Sequence, residues 1–291
     1  MHADRAAEPA VLRYAAFTGT PDGGNPAGVV LDAGDLTAGR MLAIAAEVGY
    51  SETAFLWPRD PEPGGARAFD VRYFSPTIEV PFCGHATIAS GVALAERDGP
   101  NVLAFHTSSG EVPVETAALE DGNMAATLTS VEPYVADVAH DDVVEALAAL
   151  HWTENELDPL LPPHIAYAGV RHLILGAATR GRLADLDYDF EALKRLMIAH
   201  DLTTVDLVWR ESDRRFHARN PFPVGGVVED PATGAAAAAL GAYLRTLDLV
   251  SVPARITIAQ GEDMGRPSEL IVDISAEDSA IRVTGRAVAI P

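Results

Sequence analysis

Apolar positions along the chain fall into short strand-like runs interleaved with longer helical patterns. Residues 11–17 and 27–31 read as strands around a polar, glycine-rich loop at 19–26. Residues 35–48 read as a helix with Leu42, Ala45 and Val48 on one face; Asp35 or Thr37 can cap its start and Gly49 its end. Further strands are predicted at 50–57, 68–74, 167–175, 207–209, 254–259, 269–274 and 280–288, with a Pro/Gly loop at 58–65. Residues 111–117 and 123–129 read as a hairpin around Glu120-Asp121-Gly122. Helices are predicted at 141–150 and 189–200, and residues 132–136, without periodicity, are the candidate crossover between two halves. Strands and helices mixed without regular alternation predict an α+β fold, not a doubly wound sheet.

Two segments break the amphipathic pattern. Residues 83–94 (CGHATIASGVAL) and 233–244 (TGAAAAALGAYL) read as helices with apolar or small residues on every side. A helix apolar all round is buried, and such small side chains suit one threaded through a tight enclosure of strands. Sliding the chain by 150 residues superposes Glu79 on Glu229, Gly84 on Gly234, Gly91 on Gly241 and Leu94 on Leu244; Trp57 and Trp209 fall near the same offset. This predicts a duplicated half, residues 1–131 and 132–291, each built round one buried helix, with a cleft between them. Either half can claim the last strand, 280–288.

Composition narrows the partners. The 291 residues suit two domains of ordinary size, and 48% apolar residues supply a core for each. Forty-two acidic against 21 basic residues give a net charge of -21, which repels phosphate backbones and anionic bilayers; no nucleic-acid or membrane partner is expected. The first ten residues lack the apolar core of a signal peptide, and the longest apolar run, 234–244, is too short to span a bilayer, so a cytoplasmic setting is expected. The single cysteine, Cys83, excludes an intrachain disulfide and multi-cysteine metal or iron–sulfur sites. The single lysine, Lys194, sits in an amphipathic helix followed by Arg195, which excludes a P-loop and leaves no convincing pyridoxal site. No His-Glu-x-x-His, Gly-x-Ser-x-Gly or Gly-x-Gly-x-x-Gly motif occurs; neither a metal nor any other cofactor is expected.

The candidate chemistry gathers at the two buried helices. One opens with Cys83-Gly84-His85, the other with Glu229-Asp230-Pro231-Ala232-Thr233-Gly234. Free N–H groups and the positive dipole end make each start an anion site, so a small carboxylate held between both is one reading. Simple capping by Asp230 or Thr233, with Pro231 in the first turn, accounts for the second segment equally well. His85 at a helix start can donate a hydrogen bond or shuttle a proton. Cys83 is a thiol acid/base or merely a packed small residue. Glu52 heads an apolar strand, where a carboxylate is costly unless hydrogen-bonded or open to a cleft; taken alone, it reads as a solvent-facing strand end.

Together these segments resemble the PhzF-like (phenazine biosynthesis) family of the diaminopimelate-epimerase-like superfamily. The matching stretches are Phe17-Thr18, Gly24-Asn25-Pro26-Ala27-Gly28, Ser51-Glu52-Thr53-Ala54-Phe55, Arg72-Tyr73-Phe74-Ser75-Pro76, Cys83-Gly84-His85-Ala86-Thr87, Glu229 to Gly234, Gln260-Gly261 and Gly265-Arg266-Pro267-Ser268, in family order over roughly residues 11 to 290. The resemblance implies two pseudo-repeated domains, each a curled sheet around a central helix, and cofactor-independent isomerase chemistry, commonly in a homodimer. It implies that Glu52 moves a proton between carbons of a small carboxylate, with His85 and Asp230 orienting the substrate or relaying protons. Asn25, Cys83, Gly84, Thr233, Gly234 and Ala235 would line the substrate site. Three departures stand out. The second half has no cysteine, which excludes two-thiol racemisation. Ala15 replaces an aspartate often found before the Phe-Thr pair. Ala235 replaces the serine usual after Thr-Gly, removing a hydroxyl at the carboxylate site. These losses leave open a non-catalytic metabolite-binding protein on the same scaffold.

Overall fold

The computed structural model describes residues 9–62 and 65–291. Residues 1–8, read above for a signal peptide, and Pro63 and Gly64 of the expected loop lie outside the described residues. The first half contributes β1 (Leu12–Ala16), β2 (Asn25–Val30), β3 (Glu52–Pro58), β4 (Arg67–Phe74), β5 (Glu79–Val80), β6 (Val102–Thr107), β7 (Gly110–Ala118) and β8 (Met124–Thr129). Its helices are α1 (Ala38–Val48) and α2 (Gly84–Asp98). The second half contributes β9 (Tyr134–Asp137), β10 (His164–Tyr167), β11 (Arg171–Gly176), β12 (Thr204–Arg210), β13 (Arg215–Pro221), β14 (Glu229–Asp230), β15 (Ala254–Gln260), β16 (Ser268–Ile274) and β17 (Ile281–Ala289). Its helices are α3 (His140–Ala149), α4 (Arg180–Ala184), α5 (Phe190–Ala199) and α6 (Gly234–Thr246).

The strands repeat one pairing scheme. In the first half β2 runs parallel to β3 and β4 parallel to β6; in the second, β11 runs parallel to β12 and β13 to β15. Each second crossover carries a core helix, α2 or α6. The duplication is visible residue by residue. Glu79 pairs with Phe74 and Glu229 with Pro221, and each glutamate meets an arginine of that neighbouring strand, Arg72 or Arg219. Trp57 and Trp209 each lie five residues into corresponding strands. The last strand belongs to both halves. β17 pairs with β16 of the second half, then with β8 and β1, closing the first half into an eight-stranded barrel of β1–β4, β6–β8 and β17. The second half stays open between β9 and β17.

Three local expectations change. The strand expected over 167–175 is a hairpin, β10 and β11, bent at Gly169 with φ +111°. The aperiodic stretch at 132–136 contains most of β9, which pairs with β10. The first helix starts at Ala38, with Thr37 and not Asp35 as its cap: the Thr37 hydroxyl accepts from the Arg40 N–H. Its C-terminal Gly49 adopts φ +72° as expected.

Both core helices are enclosed. Every residue of α2 from Gly84 to Ala95, and of α6 from Gly234 to Leu244, is buried. Small residues are what allow this fit. A Cβ on Gly241 would sit 2.9 Å from both Ile281 Cγ2 and Val272 Cγ1, and one on Gly91 3.0 Å from Ala126 Cβ. Gly241→Ala is therefore expected to destabilise the protein by about 1–3 kcal/mol through overpacking. Thermal unfolding checks this, and an unchanged Tm would show that the helix has room to move. No helix among the described residues is long and apolar enough to cross a bilayer.

Candidate active site

The two core helices begin at the same place. A Cβ on Gly84 would lie 3.2 Å from Gly234 Cα and 3.3 Å from Ala235 N, so the helix starts abut backbone to backbone. The first N–H groups of each helix have no intrahelical acceptor and are directed out of its N-terminal end. Beside this junction lies a cavity of about 180 Å³ whose lining includes Glu52, Cys83, His85, Asp230, Thr233 and Ala235. Gly84 and Gly234 also line it, and Asn25 lies buried against His85 and Asp230. The structure thus brings together the nine residues expected at the site, Glu52, His85, Asp230, Asn25, Cys83, Gly84, Thr233, Gly234 and Ala235. A larger groove of about 460 Å³ runs past Phe17, Ile271 and Gly285 and includes none of these nine.

Glu52 is placed by the turn at Gly49 and by parallel pairing with Ala27 at the head of β3; it is 8% exposed, not a solvent-facing strand end. Its Oε2 lies 3.4 Å from His85 Nε2 and 3.6 Å from Cys83 Sγ, within reach of the thiol proton. Ser51 Oγ also approaches Nε2, at 3.4 Å. On the other side of the imidazole, Asn25 Nδ2 lies 3.1 Å from Nδ1 while donating to Asp230 Oδ1 at 2.7 Å and Ala232 O at 3.1 Å. The opposite amide orientation would turn the Asn25 oxygen onto those two oxygens. An amide nitrogen donates and does not accept, so Nδ1 is assigned as unprotonated, and the ring proton of neutral His85 rests on Nε2 facing Glu52.

Asp230 is not a helix cap. β14 pairs it with Asn220, its Oδ2 accepts from the Thr233 hydroxyl at 2.6 Å, and Pro231 precedes the helix instead of entering its first turn. Thr233 occupies the N-cap position of α6 but makes no side-chain capping bond. Burial pushes the Asp230 carboxyl up to about 6, with the Glu52 charge adding to the rise; His85, Thr233 and Asn25 oppose it. Burial, then the neighbouring Glu52 carboxylate, raises the Cys83 thiol well above its ordinary value, so Cys83 stands as a neutral donor and not as a thiolate base.

Glu52, Cys83 and His85 bring three ligand-type atoms within 4.8 Å of one another. Their directions do not suit a metal. Sγ is 3.4 Å from Nδ1 and 3.7 Å from Nε2, which places it beside the ring and off the lone-pair axis of either nitrogen. Binding would also require the thiolate that burial opposes. The trio lies at hydrogen-bonding distances.

Sequence reasoning missed the rest of the wall. Val80, Phe82, Val170 and Phe222 supply apolar surface, and Thr203 and Thr204 supply the far side. No lysine or arginine among the described residues lines the cavity. Strand register makes Thr204 the counterpart of Glu52: Ala27 pairs with Glu52 as His172 pairs with Thr204. The signal was therefore present in the repeat, once the strands are aligned.

A barrel closed round a buried helix, with a carboxylate, an imidazole and two helix starts at one cleft, defines a diaminopimelate-epimerase-like isomerase scaffold. Residues 14–291 match the PhzC-PhzF family, described as phenazine biosynthesis-like protein, and the chain belongs to that family. It is 32% identical to trans-2,3-dihydro-3-hydroxyanthranilate isomerase of Pseudomonas chlororaphis over 253 residues, covering 87% of this chain and 86% of that protein. A protein of Bacillus subtilis named as an uncharacterized isomerase is 33% identical, covering 97% and 96%. Among solved structures, the Bacillus anthracis phenazine biosynthesis protein of the PhzF family superposes with a TM-score of 0.84 at 27% identity, covering 97% of this chain and 96% of that one. A probable proline racemase of Agrobacterium radiobacter shares the fold, with a TM-score of 0.67 at 15% identity over 96% and 90% of the two chains. The chain is a PhzF-like isomerase.

Proposed function

We propose that this isomerase shifts a proton between two carbons of a small carboxylate-bearing metabolite without a cofactor. One observation carries the reading: the Glu52 carboxylate faces the His85 imidazole at the floor of the cleft where the α2 and α6 N-termini meet. The substrate carboxylate binds the first-turn N–H groups, the described residues of the cavity wall including no lysine or arginine. Glu52 accepts the proton from a carbon conjugated to that carboxylate. The C–H electron pair moves into the conjugated system, and the charge that develops is stabilised by the same N–H groups. The proton then returns at the far end of the system, so none is gained or lost. His85 flanks Glu52, its Nε2 lying 3.4 Å from Oε2. Asp230, part-protonated near neutrality, positions Asn25 and can supply a proton.

The apolar wall of Phe82, Val170 and Phe222 favours a flat, ring-like or unsaturated body. The relative's substrate, trans-2,3-dihydro-3-hydroxyanthranilate, is therefore the first probe, tested beside smaller unsaturated and amino-acid carboxylates. In D₂O the enzyme should place one deuteron on a carbon of any compound it turns over, read by NMR and mass spectrometry. A carboxylate that binds the cleft, as seen by ligand NMR, yet never gains deuterium when the whole panel is tested would overturn the proton shift.

A further inference from the structure

We propose that Arg266, outside the cavity, is a positioning residue for this chemistry: its guanidinium clasps the first half and thereby fixes the proton on His85 Nε2. Arg266 donates from Nε to Gly24 O at 2.7 Å and from Nη2 to Gly23 O at 2.6 Å. These two carbonyls immediately precede Asn25. The Gly24 N–H returns a bond to Pro267 O at 3.1 Å, and Gly24 itself adopts φ +63°, with a would-be Cβ only 2.3 Å from Ala16 O. The bend has one shape, and Arg266 holds it from the other half of the molecule.

The same loop holds the opposite end of the Asn25 bridge. Gln260 donates to Asp230 O at 2.8 Å and accepts from the Thr233 N–H at 3.0 Å, while Ser268 donates to Pro231 O at 3.0 Å. Residues 260–268 therefore grip both sides of the Asn25 amide, whose contacts to His85, Asp230 and Ala232 span the two halves. The loop is tight for the same reason: Gly261 adopts φ +74°, and a Cβ there would meet Arg266 O at 2.3 Å and Pro231 O at 2.7 Å.

The choice of an arginine is informative. In a chain with 42 acidic residues, no carboxylate among the described residues forms an ion pair with Arg266. Its guanidinium instead donates both of these hydrogen bonds to backbone carbonyls, a use that depends on the planar fork and not on charge alone. If that fork is lost, the Gly23–Gly24 bend relaxes, the Asn25 amide drifts from Nδ1, and His85 is free to exchange tautomers.

The inference rests on the reading of His85 as a working group, and its test needs no substrate. In the full chain labelled with ¹⁵N-histidine, the His85 signals are assigned by their loss in His85→Gln. Wild type should show one tautomer, Nε2–H. Arg266→Ala should convert this to an averaged pair, and added methylguanidinium should restore the single form by refilling the fork. Arg266→Lys, which keeps the charge but cannot fork, should behave like Arg266→Ala. A wild-type His85 signature in folded Arg266→Ala or Arg266→Lys overturns the proposal, whatever happens to Tm. A changed signature that methylguanidinium does not reverse overturns it too, because the loss is then general loosening. Deuterium incorporation tests the proton shift separately, so either idea can fail while the other stands.

Discussion

Replacing Glu52 with Gln is expected to slow solvent deuterium incorporation by about 10³-fold, the scale of a lost general base, while changing substrate Kd by less than about threefold. The variant isolates one function. Gln keeps the size of Glu52 and a polar group beside His85 Nε2, which lies 3.4 Å from the present carboxylate, so the floor of the cleft retains its shape. The carboxylate site proposed above consists of backbone N–H groups on α2 and α6, which the change does not touch. What disappears is the carboxylate base: Cys83 is held as a thiol, and His85 Nδ1 is turned toward Asn25. A thousandfold loss corresponds to about 4 kcal/mol of transition-state stabilisation. Single-turnover exchange in D₂O with titration calorimetry separates the two effects. Exchange within tenfold of wild type would remove Glu52 from the proton path, and a large rise in Kd with unchanged exchange would make it a binding group.

The order of elements was legible because local patterns and tertiary demands agree over most of the chain. The two small-residue helices announced a fold in which each is swallowed by a sheet, and Gly91 and Gly241 show why alanine-rich faces are obligatory. What escaped detection depended on pairing with distant residues. β13, for which no strand was expected, alternates Arg215 and His217 with the buried Phe216 and Ala218, and from Arg219 to Pro221 it is buried on both faces by partners distant in sequence. The strand expected over 167–175 is split between two arms that pair with each other, and the conformation of Gly169 separates them. Glu52 was ambiguous for a related reason. Nothing local distinguishes a strand-end glutamate in water from one roofed by a helix start contributed some thirty residues later. Asp230 looked like a cap because its sequence context is that of a cap; pairing with Asn220 is what turns it toward Asn25.

The duplication also explains the site's asymmetry. Corresponding positions in the two halves carry Glu52 and Thr204, Cys83 and Thr233, and His85 and Ala235. The repeat gives the cleft two equivalent helix starts. The first-half wall carries a carboxylate, a thiol and an imidazole, and the second-half wall carries hydroxyl or methyl groups at the same positions. Asp230 stands at the position of Val80 and is, among the described residues, the one ionisable group the second half adds to the cavity lining.

That addition makes Asp230→Asn a variant in which activity and stability should move in opposite directions. Asn fits the same space: its Oδ1 accepts from Asn25 Nδ2 and its Nδ2 donates to Thr233 Oγ1, while the Thr233 hydroxyl loses its carboxylate acceptor. The burial cost of a charge is removed. The carboxyl moves from an ordinary 3.8 to about 6 on folding, so the native state binds its proton more tightly than the unfolded chain. Stability from this group is therefore fully present below about pH 4 and is lost as pH rises through about 6, a loss of about 3 kcal/mol at ~1.4 kcal/mol per decade. Asp230→Asn should accordingly match wild type in acid and exceed it by up to that amount at pH 8, measured as Tm or denaturant midpoint across the range. The reaction should suffer. The variant cannot be ionised or supply a carboxyl proton, and turnover is expected to fall by about 10²-fold, with the wild-type inflection near pH 6 absent from its rate profile. A stability curve parallel to wild type from pH 4 to 8 would show that Asp230 is not penalised by burial. Retention of the inflection would assign it to another group and leave Asp230 as a holder of Asn25 alone.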